Sequence, residues 1–333
     1  MTAVSWSRCG DEDCIRIEGI APGADIRVHA GAPVAMDGLP GTAGRLLRDG
    51  DGECFAPRFA FIAGTTYTVV VDGATAGVLV RPAQEHPATT EVLAVYPTET
   101  TVPRNLLRCY VRFSAPMSEG YAADHVRLVD HGGEIMVGAL LAGDHELWDA
   151  TRRRLTILFD PGRIKRGLVP HRQAGYPLQV GVSFRLVVDP GFRDALGTPL
   201  RTGAERSYQV NDDERRHVNP GRWTLTIPRG DTNEALEIAF ERPLDHGLLG
   251  RCLHVVGPDG RPVAGTVEIG TGERSWRFAP RNGWAHGSHH VVVDPVLEDL
   301  AGNSVSRVFD RDLARLEDRP VNAPPPTLTF SPR

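Results

Sequence analysis

The 333-residue sequence predicts an all-β chain built of three tandem sandwich domains. Three observations carry that expectation: a segment that recurs three times, side chains that alternate in polarity along it, and frequent glycine and proline between the alternating runs. Two packed sheets are how such a pattern buries its apolar half. The length exceeds one ordinary sandwich and fits two or three. The 36 glycines and 26 prolines suit short strands joined by tight turns, and a 41% hydrophobic fraction suffices for packed cores.

The recurring segment reads FAPRFAFIAGTTYTVVVD in its first copy, Phe55 to Asp72. The second has FDP at Phe159–Pro161 and GVSFRLVVD from Gly181 to Asp189, and the third reads FAPRNGWAHGSHHVVVD from Phe278 to Asp294. Each opens on a strand ending in Phe-x-Pro, where a residue without an N–H can leave the ladder. Each then has a turn glycine (Gly64, Gly181, Gly287) and a β-branched run. In the second copy Phe184, Leu186 and Val188 share one face, and Arg185 and Val187 the other, the period of a half-buried strand. By spacing from the glycine, His290 takes the place of Tyr67 and Phe184 as a core-facing ring, with His289 on the opposite face.

The second and third copies continue to match. DPGFRDALGTPL (Asp189–Leu200) and DPVLEDLAGNSV (Asp294–Val305) place Asp and Gly at a spacing that favours capped turns. Upstream, FSAPMS (Phe113–Ser118) parallels FERPLD (Phe240–Asp245), and VDHGGEIMVG and VGPDGRPVAG read as matched hairpins. The first unit shares only the Phe-x-Pro hairpin; its other strands are expected at Cys14–Ile20, Asp25–Gly31 and near Ala76–Pro82. The expected division is residues 1–86, 87–212 and 219–322, followed by an extended, mobile tail over 323–333. Boundaries fall near Gln84–Ala88 and in the polar run Asn211–Gly221.

These residues resemble the SbsA-type bacterial immunoglobulin-like domain, also called Big-5. Its typical V-x-F-S-x-P-M strand matches Val111 to Met117, its F-x-P strand matches Phe159–Pro161 and Phe278–Pro280, and its V-x-D-x-x-G-N turn matches Asp194–Gly197 and Asp299–Asn303. Tyr96-Pro97 stands where the family opens with a Pro-containing segment, and the resemblance covers roughly residues 91–310. It implies immunoglobulin-like β-sandwiches without shared catalytic residues, used as spacers, adhesive modules or carbohydrate-associated modules on secreted or cell-envelope proteins. An extracytoplasmic location follows from the resemblance. Yet Met1–Asp13 lacks the apolar core of a signal peptide, so the alternatives are a cytoplasmic protein or a mature or truncated form.

Composition excludes several classes. The net charge of −5 is small and both signs are interspersed, so no nucleic-acid partner is expected. No apolar run is long enough to span a membrane. Nucleotide-binding, hydrolase and metalloprotease motifs are missing from the sequence, and no cofactor or metal is expected. Of Cys9, Cys14, Cys54, Cys109 and Cys252, one disulfide joining Cys54 to Cys9 or Cys14 is an alternative to the expected reading of small buried hydrophobes. Asp189, Asp194, Asp294 and Asp299 are read as turn caps in preference to calcium ligands, and the histidine cluster at 286–290 as core and surface residues in preference to a metal site.

The candidate site is an insertion. Pro57 to Gly64 and Pro280 to Gly287 each span seven residues, whereas Pro161 to Gly181 spans 20. The extra loop, at about 162–178, holds Arg163, Lys165, Arg166, His171, Arg172 and Tyr176. A cationic loop on a stiff sandwich suits an anionic ligand or a protein partner; its alternative is a spacer packed on a neighbouring domain. The leading expectation is thus a non-enzymatic structural or interaction protein that recognises another protein or an anionic ligand through preformed loops. A carbohydrate-binding module would need an exposed platform from Trp148, Trp223 or Trp284, and an enzyme with an inter-domain site would draw on His171 or His254.

Overall fold

The computed structural model describes the chain except residues 1, 11, 33–40, 50, 51, 59, 83–86, 142–145, 313 and 321–323. Part of the expected Gln84–Ala88 boundary therefore lies outside the described residues. The chain separates into two compact units, Met1–Pro87 and Ala88–Arg333.

Unit 1 has strands β1 (Ala3–Cys9), β2 (Glu12–Glu18), β3 (Ile26–Ala30), β4 (Gly44–Asp49), β5 (Gly52–Pro57), β6 (Thr66–Val71) and β7 (Ala74–Val80). They form an antiparallel sheet in the order β1-β2-β5-β4 and another in the order β3-β6-β7. Alternation fixes the inner faces: Ile15, Ile17, Phe55, Tyr67 and Val69 are buried together. Trp6, Phe61 and Tyr67 meet edge to face with centroids 4.8–5.9 Å apart.

Unit 2 contains two further immunoglobulin-like sandwiches, each with its own hydrophobic cluster. The first of these has β8 (Val92–Tyr96), β9 (Thr101–Pro103), β10 (Arg108–Phe113), β11 (Val126–Asp130), β12 (Leu147–Trp148), β13 (Arg154–Leu158), β14 (Ser183–Val188) and β15 (Ala204–Asn211). Its sheets run β12-β13-β10-β8 and β11-β14-β15-β9, with β9 parallel to β15. Phe184, Leu186 and Val188 are fully buried, and Arg185 and Val187 lie on the other face, as the alternation predicts.

The second has β16 (Thr224–Thr226), β17 (Leu236–Ala239), β18 (Leu253–Val256), β19 (Gly265–Ile269), β20 (Ser275–Pro280), β21 (His289–Val293) and β22 (Thr327–Phe330), in sheets β16-β17-β20-β19 and β18-β21-β22. The internal repeat is visible in the pairing. The hairpins join Val129 to Ile135 and Val256 to Pro262, and the capped turns join Met117 to Asp194 and Leu244 to Asp299. Asp194 accepts the N–H groups of Leu196 and Thr198, and Asp299 those of Ala301 and Asn303, so both are turn caps. Gly64, Gly181 and Gly287 all have positive φ, the conformation their turns demand.

Two expectations are corrected. The tail is not outside the third sandwich: β22 pairs with β21 over Thr327–Phe330, and Phe330 is buried against Trp284 and His289. In β21, His289 is the buried ring and His290 is half-buried, its Nδ1 on Thr329 Oγ1. The turn before β21 is one residue shorter than its counterparts, and a one-residue slip exchanges the two faces of a strand. Counting back five from the terminal Asp72, Asp189 or Asp294 reaches Tyr67, Phe184 and His289, the true equivalents.

Candidate functional site

The inserted loop leaves the sheet after β13 and is pinned at once. Asp160 caps the short helix Pro161–Ile164 by accepting the Gly162 N–H at 2.8 Å, and Ile164 is sunk in the core. A second short helix, Val169–Ala174, carries Pro170 in its first turn and ends at Gly175, whose φ of 66° stops it. Arg163 holds this loop together. Its guanidinium donates to the carbonyls of Gly138 (2.9 Å), Ala174 (3.2 Å), Gly175 (3.1 Å) and Tyr176 (2.9 Å). The His171 Nδ1 meets the Arg163 carbonyl, an acceptor only, so that nitrogen carries the proton; the ring stands edge-on to Tyr176 at 4.7 Å.

The other loop residues reach across unit 2. Lys165 Nζ lies 4.4 Å from the Phe309 ring centroid, and Arg166 donates to Asp310 through its backbone N–H (3.1 Å) and Nε (2.8 Å). The Tyr176 hydroxyl accepts from Arg215, which also binds Asp310 at 2.7 Å, and Arg104 covers the Tyr176 ring at 4.4 Å. Burial raises the Tyr176 hydroxyl pKa. Five of the six predicted residues thus have their polar groups engaged within the protein. Arg172 is exposed, beside Leu168 (46% exposed) and Val169 (61%) at the loop's outer turn.

Sequence reasoning missed the junction between the two sandwiches of unit 2, which is polar and buried. Glu273, with no exposed surface and φ of 52°, accepts from Thr98 N–H (2.8 and 2.9 Å), Thr98 Oγ1 (2.8 Å) and Glu99 N–H (3.3 Å). Tyr96 stacks on His246 with centroids 3.4 Å apart. The Tyr110 hydroxyl donates to Asp245 at 2.8 Å, and Arg108 pairs with Asp245 and Glu298. The Asn105 amide clasps the backbone of Glu214, donating to its carbonyl (2.8 Å) and accepting its N–H (3.0 Å). Asn303 reaches the same carbonyl at 2.9 Å. Burial raises the Asp299 carboxyl to about 6, opposed by Arg242, 3.0 Å away, and by Asn303. Packing is as close as the hydrogen bonding: a Cβ on Gly302 would stand 2.5 Å from Leu107 Cδ2. The hydrogen-bonded and ion-paired groups that cross this junction lie 89 to 190 positions apart, so only the folded topology brings them together.

The three rings that a carbohydrate-binding platform would need do not form an exposed one. Trp223 and Trp284 are buried in the third sandwich, and half-buried Trp148 packs on the second core with its Nε1 on Glu146. His254 is exposed on β18, and His171 is held inside the loop. No described helix is long and apolar enough to cross a membrane.

No family model and no curated protein matches this sequence. Among solved structures, the chain is similar to domains MG0-NIE-MG1 of alpha-2-macroglobulin from Escherichia coli. That likeness is 9% identical, covers 75% of this chain and 73% of that one, and has a TM-score of 0.26. The I9–I11 tandem of titin is 10% identical over 86% and 89% of the two chains, with a TM-score of 0.17. The FN1–FN3 domains of chicken CNTN1 are 9% identical over 99% and 98%, with a TM-score of 0.21.

Proposed function

We propose that this chain is a non-enzymatic structural and interaction protein. Its second and third sandwiches act as one stiff block that offers the tip of the inserted loop to a protein partner. The observation that carries the reading is the division of labour in the loop. Arg163, Lys165, Arg166, His171 and Tyr176 hold it against its own unit, while Leu168, Val169 and Arg172 face solvent together. A preformed loop spends little entropy on binding, and an apolar pair beside one guanidinium matches an apolar surface edged by a carboxylate.

On this reading the division into 1–86, 87–212 and 219–330 is the working domain plan, and residues 91–310 are SbsA-type, Big-5-like modules, which favours an extracytoplasmic setting. A photo-crosslinking residue at Val169, in full-length protein expressed in its source cells, tests it. One discrete protein adduct at Val169, absent with the crosslinker at exposed Leu93 and abolished by Arg172→Glu, is the expected result. Equal labelling from both positions overturns the loop's role.

A further inference from the structure

The outer face of the first sheet of unit 1 carries an arrangement that its core packing does not account for. Along β2 and β5, Ile15, Ile17 and Phe55 point into the core. The residues between them, Cys14 and Cys54, therefore point to the opposite face, which they share with Arg16. Cys9 joins them from β1, two positions diagonal to Cys14 in the register. The three sulfur atoms all lie within 4.8 Å of one another, with Cys9 Sγ and Cys14 Sγ 2.6 Å apart. Cys14 and Cys54 are fully buried although they face away from the core, and Cys9 is half-buried. Small buried cysteines normally fill cores, as Cys109 does in the second sandwich. Here three thiols from three adjacent strands converge on one point outside it.

We infer that Cys9, Cys14 and Cys54 form a three-thiolate site for a soft divalent cation of the zinc type. Sulfurs bonded to zinc at about 2.3 Å stand roughly 4 Å apart, a span that the present cluster reaches with side-chain adjustment alone. The rigid ladder of β1, β2 and β5 presets the geometry, and the half-buried side at Cys9 leaves room for a water as the fourth ligand. Binding replaces three S–H bonds by three metal–sulfur bonds: one divalent ion and one water enter, three protons leave, and the site carries one net negative charge. The Arg16–Glu18 (2.7 Å) and Arg45–Glu12 (2.8 Å) ion pairs lie on the same side of the sheet. A disulfide would engage two sulfurs and leave the third; an ion engages all three. The site belongs to unit 1 and stands apart from the loop reading.

The test is titration of reduced full-length protein with Cd(II), followed by the thiolate-to-metal charge-transfer band in the ultraviolet, and then displacement by Zn(II). One Cd(II) per chain with release of three protons is expected. Cys9→Ser and Cys54→Ala each should weaken binding by more than about 100-fold, and Cys109→Ser should leave it unchanged. Thermal unfolding of each variant verifies folding; if Cys54→Ala does not fold, Cys9→Ser carries the test, since that side chain is half-buried. The assignment is overturned by a missing band in the wild type, by a band that survives Cys9→Ser, or by a Cys9–Cys14 disulfide forming in air in the presence of equimolar Zn(II).

Discussion

Replacing Glu273 by Gln tests whether the junction in unit 2 is held by hydrogen bonds to a charged acceptor. The two Glu273 oxygens receive the Thr98 N–H, the Thr98 hydroxyl and the Glu99 N–H, with no exposed surface. Hydrogen bonds to an ionised group contribute about 1.5–3 kcal/mol each, neutral ones about 1. Gln retains one carbonyl oxygen, which accepts one or two of these donors as neutral bonds. Its NH₂ then faces a remaining N–H, leaving donors opposed at a position with no exposed surface, at about 1–3 kcal/mol. A net loss of about 3 kcal/mol follows once relief from burying a carboxylate is set against it. The assay is native-state hydrogen exchange at the Thr98 and Glu99 amides in the full-length protein, which reads local opening directly. A 3 kcal/mol loss accelerates exchange about 100-fold at both amides, with little change at Phe184 in the neighbouring core. Acceleration below about threefold, with the variant folded, would falsify the claim that this carboxylate latches the two sandwiches.

Further expectations concern the same framework. The Asp299 carboxyl titrates near 6 in the folded chain and near 3.9 unfolded. The native state therefore binds the extra proton between these values, and this group's contribution is fully present below about pH 4 and lost as pH rises through 6. Two pH units correspond to about 3 kcal/mol, so the urea midpoint of the third sandwich should fall between pH 4 and 6.5 in wild type more than in Asp299→Asn; parallel curves refute the assignment. Phe330→Ala should destabilise the third sandwich by about 3 kcal/mol, because the ring is packed against Trp284 and His289; an unchanged melting temperature would return this residue to a free tail. Arg163→Met removes three bonds to loop carbonyls and one to Gly138, so trypsin should cut after Arg166 or Arg172 several-fold faster, with global unfolding nearly unchanged. Equal cleavage rates would mean that the loop is held by Ile164 and the Asp310 pairs alone.

The sandwich architecture was legible wherever burial is set by neighbours in the chain. Alternation at Phe184, Leu186 and Val188 named a buried face, the turn glycines marked positive φ, and Asp194 and Asp299 marked caps, since each signal depends on residues only a few positions apart. The errors have the same root. Counting from the glycine exchanges His289 and His290, because the turn after Gly287 is one residue shorter, whereas the aspartate that closes the strand keeps the register. In the tail, Pro324–Pro326 points to extended chain, although Thr327-Leu328-Thr329-Phe330 itself alternates as a strand does.

What stayed hidden is whatever depends on two distant segments meeting. Arg163 looks like a ligand-binding cation in the sequence, because composition records its charge and not the three carbonyls that the loop curls back to offer it, nor the Gly138 carbonyl beside them. Thr98, Asn105, Glu214 and Glu273 are unremarkable polar residues until β8, β9 and the segment after β15 come against the third sandwich. The physical consequence bears on function. A basic loop whose cationic groups are mostly tied to carbonyls, a ring and one carboxylate of its own unit has few donors left to grip an anion, and what it still presents to solvent is shape: two aliphatic side chains and one guanidinium on a stapled turn. Recognition through such a surface should therefore depend weakly on ionic strength and strongly on Leu168 and Val169. An interaction abolished by moderate salt, with both aliphatic residues dispensable, would point back to a purely electrostatic loop and away from the one built here.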